Sequence, residues 1–387
     1  MGTFEGLELD DLVLTGPRLT LRPWHPPDAD RVHEIMQDRA MYEFLAVPDP
    51  YTPEVAMRFV TELGDEGRRD GTGISSAVVE SASGRVVGSA ALRLTGEQDV
   101  GYWIAPDAQG NGYAAEAVRV LADWAFAHGL RRVQLLCDVR NLGSARTALA
   151  ASFRYEGALR DRLQRPLDDD AEPRVSDLAW FARLATDPGV PVPPAFARLP
   201  AGGLSDGVLT LRELRPGDAA GFLEQERDAQ TVANGFTGRA PEPDAVRRMT
   251  DRAGLDWLVG QAAGFTLVDV GSGRFAGSLR LRLAGPPGVG GIGYAVHPSF
   301  RGRGYTARAL RLLVPWAFEQ GGFARLELGA KADNVGSQKA ALAAGFEPDG
   351  VRAARLRYPD GSYADEVRFA VINPRVARIQ HSATTTR

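Results

Sequence analysis

The chain has 387 residues, of which 44% are hydrophobic and 24% charged, and its formal net charge is −4. This composition is typical of a globular protein with two or three domains and excludes a disordered or fibrous chain. The slight negative charge argues against a nucleic-acid-binding protein, which would need a basic face.

Cysteine and histidine content limits the chemistry further. Cys137 is the single cysteine, which excludes an intramolecular disulfide and a thiolate metal cluster. No two of the 5 histidines have a metal-ligand spacing, so we expect no metal site. The N-terminal segment is acidic and no run of eighteen apolar residues exists, so we expect a cytoplasmic protein without membrane contact.

Hydrophobic periodicity predicts mixed strands and helices in the first half. We expect strands at 19–22, 74–80, 86–94, 100–105 and 133–139, helices at 28–38, 114–128 and 144–153, and two final strands around a polar loop. The same order recurs in the second half. It predicts an α/β fold with an α+β mixed sheet, one in each half.

The chain is a tandem repeat. Gly101-Tyr102 recurs 192 residues later as Gly293-Tyr294, and three other short matches recur in the same order at offsets of 190 to 193. The period is too long for a solenoid and indicates duplication of a whole domain. A Pro- and Gly-rich stretch between the copies is typical of a linker. We expect domains at 1–187 and 206–378, a linker at 188–205 and a flexible tail at 379–387.

Each half contains a strand, a glycine-rich loop and a helix. The loops are Gln109-Gly-Asn-Gly-Tyr-Ala114 and Arg301-Gly-Arg-Gly-Tyr-Thr306. Glycines allow backbone N–H groups to converge on an anion, and the following helix adds its positive end, so the loop is suited to a pyrophosphate. Neither loop is a Walker motif or a dinucleotide fingerprint.

With Asn-x-x-Ser about thirty residues further on, the loop resembles that of the GCN5-related N-acetyltransferase (GNAT) superfamily. The string around Gly101-Tyr102 is similar to its ribosomal-protein N-terminal acetyltransferase (Rim-type) branch. The resemblance implies acetyl-CoA as cofactor and direct acetyl transfer to a primary amine. The cofactor-binding residues that it implies are Trp103, Ile104, Gln109, Gly110, Asn111, Gly112, Tyr113, Ala114 and Asn141, and in the second copy Ala295, Val296, Arg301, Gly302, Arg303, Gly304, Tyr305, Thr306 and Asn334.

The family also implies catalytic roles. Its splayed strands present a main-chain N–H to the thioester carbonyl, here expected near Trp103 or Ile104 and near Ala295 or Val296. A hydroxyl protonates the departing thiolate, and the serine of Asn-x-x-Ser is the candidate, hence Ser144 and Ser337. The base is expected just before the Gly-Tyr strand, where the first half has Asp99.

The two copies differ at these positions. The second half has Gly291 in place of Asp99, although a water chain can also serve as base, and a solvated strand end is an equally good interpretation of Asp99. The first half has Ser152 where the second has Gly345. Pro315 should kink the second cofactor helix. On the carboxylate alone, the hypothesis is that the first half has the better-equipped site.

The acceptor stays open at this stage. The acidic run Asp168–Glu172 lies where the family shapes its acceptor pocket, and the corresponding stretch 352–357 is basic. The two pockets would then take different amines. A solvated turn is the simpler interpretation of the acidic run. Acceptors could be a protein N-terminus, a small-molecule amine such as an antibiotic or biosynthetic intermediate, or a lysine. The alternative function is a non-catalytic acyl-CoA-binding protein, or an enzyme with one half reduced to a scaffold. The chain could act as monomer or homodimer.

Overall fold

The computed structural model describes residues 9–64, 66–165, 174–235, 237–358 and 360–376. The chain divides into two units, Met1–Pro193 and Pro194–Arg387, and each contains an eight-stranded sheet. This confirms the predicted mixed-sheet α/β fold in each half. Each unit is described separately below.

The first unit alternates strands and helices along the chain. Its elements are β1 (Leu14–Thr15), β2 (Leu19–Arg22), α1 (Asp28–Met36), α2 (Pro53–Arg58), α3 (Glu66–Arg69), β3 (Gly73–Glu80), β4 (Val86–Arg93), β5 (Asp99–Ile104), α4 (Tyr113–Ala127), β6 (Arg132–Asp138), α5 (Leu142–Ala150), β7 (Arg154–Arg165) and β8 (Arg174–Leu184).

The second unit repeats this succession with an additional helix before its third strand. Its elements are β9 (Leu204–Ser205), β10 (Leu209–Glu213), α6 (Ala219–Arg227), α7 (Ala229–Asn234), α8 (Pro243–Asp251), α9 (Ala253–Val259), β11 (Ala263–Asp269), β12 (Phe275–Leu283), β13 (Val289–Val296), α10 (Tyr305–Glu319), β14 (Arg325–Lys331), α11 (Val335–Ala343), β15 (Glu347–Arg357) and β16 (Tyr363–Ile372). Helix α10 continues through Pro315.

Both sheets have the same strand order. It is β1-β2-β3-β4-β5-β6-β8-β7 in the first unit, and the equivalent order in the second. All neighbours are antiparallel except β5 with β6 and β13 with β14. A parallel pair needs a crossover connection, and α4 and α10 supply it. The single parallel pair therefore lies directly beside the glycine loop in each unit.

The loop helices are fixed by their apolar faces. In α10, Leu310, Leu313 and Trp316 are buried in a core that also contains Phe265 and Trp257. Each such side chain contributes about 1.5–3 kcal/mol by burial. The N-terminus of the helix, and with it the loop, is therefore held at the edge of the parallel strands.

Much of the predicted linker packs against the units. The unit boundary falls between Pro193 and Pro194, inside the predicted 188–205 segment. Val192 donates its N–H to Leu149 in the first unit, whereas Phe196 is only 2% exposed in the core of the second. The Pro-rich composition predicts an extended spacer, whereas burial of the Phe196 side chain holds this part of the segment against the second unit. The exact domain limits stay predictions.

The described helices and the arrangement of metal-ligating side chains limit what this part of the chain can span or bind. Among the described residues, every helix is too short or too polar to cross a bilayer. In the same part of the chain, no three His, Cys, Asp or Glu side chains are grouped closely enough to hold a metal ion.

Candidate active site

The parallel strands separate at the same position in both units. Strand β5 pairs with β6 only at Asp99 and Val100, although both strands continue beyond these residues. In the second unit, the pairing of β13 with β14 ends at Ile292, the equivalent of Val100. Each sheet therefore contains a V-shaped gap with unpaired backbone groups along both sides.

Strand alternation decides which backbone groups face the gap. Ala105 donates its N–H to Val87 of β4, and successive residues of a strand direct their N–H groups to opposite sides. The N–H of Ile104 therefore faces the gap, whereas that of Trp103 faces β4. In the second unit His297 donates to Ala276, so the N–H that faces the gap belongs to Val296.

The glycine loops have the geometry of an anion cradle. Gly110 and Gly112 have φ of 79° and 77°, and Gly302 and Gly304 have 77° and 72°. The second glycine of each pair is the N-cap of its helix and supplies no side-chain cap, so the first N–H groups of α4 and α10 remain available. A Cβ on Gly302 or Gly304 would meet no protein atom within 4 Å, which leaves open space above the loop.

Several side chains of the loops are hydrogen-bonded to neighbouring strands and helices. Gln109 donates from Nε2 to the carbonyl oxygen of Ile104 at 3.1 Å. Arg301 instead donates to Gln230 and Thr231 of α7, each at 2.9 Å. Tyr113 and Tyr305 donate their hydroxyl groups to Glu80 and Asp269, respectively. The other residues of the predicted set have different surroundings. Asn111 donates to the carbonyl oxygen of Ala108, and the guanidinium of Arg303 lies over the ring of Phe300. Ala114 is the second residue of α4, and Thr306 lines the cleft described below.

Asn141 and Asn334 are the N-caps of α5 and α11. Their Oδ1 atoms accept the N–H groups of Ser144 at 2.9 Å and of Ser337 at 3.1 Å. Among the described residues, neither Nδ2 group has a hydrogen-bond partner, so both can donate to a ligand. The Asn-x-x-Ser spacing is thus explained locally, because an N-cap side chain bonds the residue three positions later.

Each serine of the motif contacts the tyrosine of its Gly-Tyr strand. Tyr102 Oη donates to Ser144 Oγ at 2.8 Å, and Tyr294 Oη and Ser337 Oγ are 2.7 Å apart. Burial raises the pKa of Tyr102 to about 12, and burial likewise raises the pKa of Tyr294. Both phenols therefore keep their protons at neutral pH. The pair lies at the gap in both units.

Asp99 is buried and paired, in contrast to a solvated strand end. It is 5% exposed, and both of its carboxylate oxygens accept from Arg93, one of them at 2.6 Å from Nε. Arg93 is its cross-strand neighbour at the end of β4. The carboxylate thus has no oxygen left uncommitted toward the gap, a point that sequence spacing could not reveal.

The second unit has a cleft of about 610 Å³ that includes Tyr294, Val296 and Ser337. Glu226 of α6 also lines it. Burial raises the pKa of Glu226, although the amide of Gln225 and the charge of Arg280 partly oppose this. A carboxylate with a raised pKa in such a cleft is suited to accept a proton near neutral pH.

A family model describes two stretches of this chain. The model of the acetyltransferase (GNAT) domain matches residues 18–154 and again 208–347, one stretch in each unit. The chain belongs to the GNAT acetyltransferase family. It carries two GNAT domains in tandem, which confirms the resemblance found in the sequence.

Each of the following relatives matches less than half of this GNAT chain. An uncharacterized N-acetyltransferase p20 from Bacillus licheniformis is 25% identical over 172 residues, 43% of this chain and 93% of the relative. The solved ribosomal-protein-S5-alanine acetyltransferase from Vibrio fischeri is 18% identical, with a TM-score of 0.40 over 43% of this chain and 94% of that one. The microcin C7 self-immunity acetyltransferase MccE, solved with acetyl-CoA and AMP, is also 18% identical, with a TM-score of 0.41 over 45% of this chain and 98% of that one.

Sequence reasoning missed three polar residues that the structure places at the gap or in the cleft. Tyr102 and Tyr294 belonged to the repeated Gly-Tyr dipeptide, which was a usable signal, but their contact with the serines spans more than forty residues. Glu226 had no signal at all, because the equivalent position of the first unit is the buried Met36. The acidic run Asp168–Glu172 lies outside the described residues. In the corresponding basic stretch of the second unit, Arg352 lines the cleft.

Proposed function

We propose that this GNAT protein transfers an acetyl group from acetyl-CoA to a primary amine, and that the second unit carries the main transfer site. The observation behind the proposal is a repeated arrangement. An uncapped helix N-terminus, a strand gap and a half-buried Tyr–Ser pair occur together in each unit. The cleft and Glu226 add an acceptor side in the second.

The loop residues fit acetyl-CoA as substrate, and the groups that would bind it are backbone N–H groups. The N–H groups of the Gly110–Tyr113 and Gly302–Tyr305 segments would hold its pyrophosphate, with the free Nδ2 groups of Asn141 and Asn334 as further donors. Acetyl-CoA supplies the acetyl thioester. The side chains of Gln109 and Arg301 are hydrogen-bonded to Ile104 and Gln230, respectively, and would hold the loop in place for this ligand.

The residues at the gap have distinct roles in this proposal. A C–N bond forms to the acceptor amine as the C–S bond breaks, so the amine must lose a proton and the sulfur must gain one. The N–H groups of Ile104 and Val296 would polarise the carbonyl. Ser144 and Ser337 would deliver the proton to sulfur and regain one from the hydroxyl of the neighbouring tyrosine, which would in turn be reprotonated by solvent.

The preference for the second unit comes from the bases. Asp99 would have to release Arg93 before it could take a proton from an amine. Glu226 lines an open cleft, and its carboxylate accepts a hydrogen bond only from the neutral amide of Gln225, at 2.9 Å, among the described residues. This reverses the hypothesis drawn from the sequence, in which the carboxylate before the Gly-Tyr strand favoured the first half.

Single-unit variants test the proposal. Ser144→Ala and Ser337→Ala remove one hydroxyl each and serve as controls for one another. With a panel of amines and thiol release as the measurement, Ser337→Ala should lower the rate at least tenfold, and Ser144→Ala less than twofold. The opposite result assigns transfer to the first unit.

The alternative of acyl-CoA binding without turnover has its own outcome. A ligand at a hundred times its Kd stabilises the folded state by about 2.7 kcal/mol. A rise in Tm with acetyl-CoA, combined with no thiol release for any amine, would identify a binding protein. No rise in Tm would remove the loop assignment as well.

A further inference from the structure

The two units present different side chains on the acceptor side of the gap. Alternation along β5 places Asp99 and Trp103 on one face, and Trp103 stacks on Trp24, with ring centroids 6.3 Å apart. The equivalent residues of β13 are Gly291 and Ala295. Loss of these side chains leaves the face of β13 bare in the second unit, where it forms part of the cleft.

Arg280 projects from the neighbouring strand into this space. It lies in the middle of β12, opposite Gly264 of β11 and Gly293 of β13, and it lines the cleft. A Cβ on Gly293 would meet no other atom within 4 Å, so the space above the strand beside Arg280 is open. The equivalent residue of the first unit is Ala91.

Among the described residues, the guanidinium of Arg280 makes no hydrogen bond and no ion pair within 4 Å, although its five N–H donors need acceptors. The charged groups that face it are the carboxylates of Glu226 and Asp256 and the guanidiniums of Arg252 and Arg282. Asp256 is already paired with Arg252 at 3.0 Å. Burial lowers the pKa of Arg280, as expected of a cation without a close counter-ion.

A partly buried guanidinium without an acceptor is costly to the protein alone, and a ligand anion relieves that cost. Arg binds a carboxylate through two parallel N–H···O bonds. Three carboxylates and six cations line the cleft, so the choice of a carboxylate over a phosphate rests on the two-bond geometry of Arg280 and on Glu226, which faces it.

We propose that the second unit acetylates amines that also carry a carboxylate, with Arg280 binding the carboxylate while Glu226 faces the amino group. The inference rests on the proposed acetyl-transfer function and names its substrate class. The carboxylate can come from a free amino acid or from an acidic first residue of a peptide. Arg280 is then the residue that determines acceptor specificity.

Matched acceptors with and without the carboxylate test the inference, and kcat/KM is expressed per neutral amine because an adjacent carboxylate also raises the pKa of the amino group. The full chain with Ser144→Ala, so that the second unit is measured, receives acetyl-CoA and either L-alanine or L-alaninamide. In a second arm it receives tripeptide amides that begin with Asp or Asn. We expect at least a tenfold higher kcat/KM for the carboxylate member in one arm, which identifies the source.

Arg280→Met should abolish this preference through a higher KM for the carboxylate member. Arg375→Met is the matched control, because Arg375 is exposed, pairs with Glu319 and does not line the cleft. It should keep the preference. The carboxylate member alone should also raise the Tm of the wild-type chain but not that of Arg280→Met, which is a readout independent of turnover.

The outcomes separate the inference from the function on which it rests. Acetyl transfer with equal kcat/KM for both members of each pair, unchanged by Arg280→Met, overturns the inference and leaves the function standing. A preference for O-phosphoethanolamine over the carboxylates overturns the choice of anion. Absence of transfer to every amine, with a Tm rise for acetyl-CoA, overturns the function instead.

Discussion

The two units have the same sheet order, the same gap and the same Tyr–Ser pair, yet they differ on the acceptor side. The first unit fills that side with Trp24, Trp103 and the Asp99–Arg93 pair. The second leaves it open and lines it with Glu226 and Arg280. After duplication, the cofactor-binding side of each site can stay constant because the cofactor is the same. The opposite side of each site is free to change with the acceptor.

The largest expected effect is on the free energy of unfolding, and it tests an Arg–Asp pair that both units share. Arg22 and Arg212 each hold a buried aspartate, Asp28 and Asp218, through two hydrogen bonds between 2.6 and 2.9 Å. Replacing either aspartate with asparagine leaves a guanidinium unpaired and should cost about 3 kcal/mol of unfolding free energy. Urea unfolding at pH 7 measures this, and similar costs in both units would support a common scaffold.

The same pair gives a pH dependence with a defined sign. Burial acts to raise the pKa of Asp28 and Asp218, but the hydrogen bonds from Arg22 and Arg212 outweigh it and the pKa of each is lowered. Their stabilisation is therefore complete above the unfolded pKa of about 3.9 and is lost as pH falls through the lower folded value. The difference between wild type and variant should shrink at pH 3. An equal difference at pH 3 and pH 7 would contradict the pairing.

The glycine loops test whether both units bind acetyl-CoA. Gly112→Val and Gly304→Val place a branched side chain at positive φ and should each remove that unit's share of the ligand stabilisation, about 2.7 kcal/mol at a hundred times Kd. Gly84→Val and Gly273→Val are matched controls, since these turn glycines have φ of 70° and 68° outside the loops. Titration calorimetry with acetyl-CoA should lose one site per loop variant and none per control. Two sites in Gly304→Val would refute the loop assignment.

The bases test the difference between the units. Glu226→Gln should lower kcat/KM by ten- to a hundredfold, whereas Asp99→Asn should affect stability more than rate. Because the pKa of Glu226 is raised by burial, the rate should fall as pH drops toward that pKa from above, and the variant should lose this part of the profile. Thiol release from pH 5.5 to 9 with one acceptor gives both profiles. A larger loss of rate in Asp99→Asn would return the main site to the first unit.

The smallest effect concerns the ends of the Asn-x-x-Ser helices. Ser152 has φ of 73°, the left-handed conformation that Gly345 has at φ of 86°, and its buried hydroxyl has no partner among the described residues. Ser152→Gly should stabilise the first unit by about 1 kcal/mol, and Gly345→Ser should destabilise the second by a similar amount. Ser83→Gly, at a residue without positive φ, should not stabilise, as chemical denaturation would show.

Local patterns carried much of the fold. The helix after the first loop was predicted at 114–128 and observed as Tyr113–Ala127, and the strand before it at 100–105 and observed as Asp99–Ile104. Residue periodicity and glycine placement act over a few positions, so one sequence suffices to detect them. The short helices α2 and α3 were missed, because four to six residues give too little periodicity.

The sequence alone determined that the chain is two copies of one α/β domain, each with a cofactor loop of GNAT type, because repetition, glycines and apolar spacing are properties of neighbouring residues. Only the tertiary structure decided which side chains meet at the gap. Tyr102 reaches Ser144 across forty-two positions, Asp99 is taken by Arg93, and Glu226 and Arg280 come from separate elements to line one cleft. Those contacts depend on strand register and on which face of each element is turned inward, and both are set by packing of the whole domain.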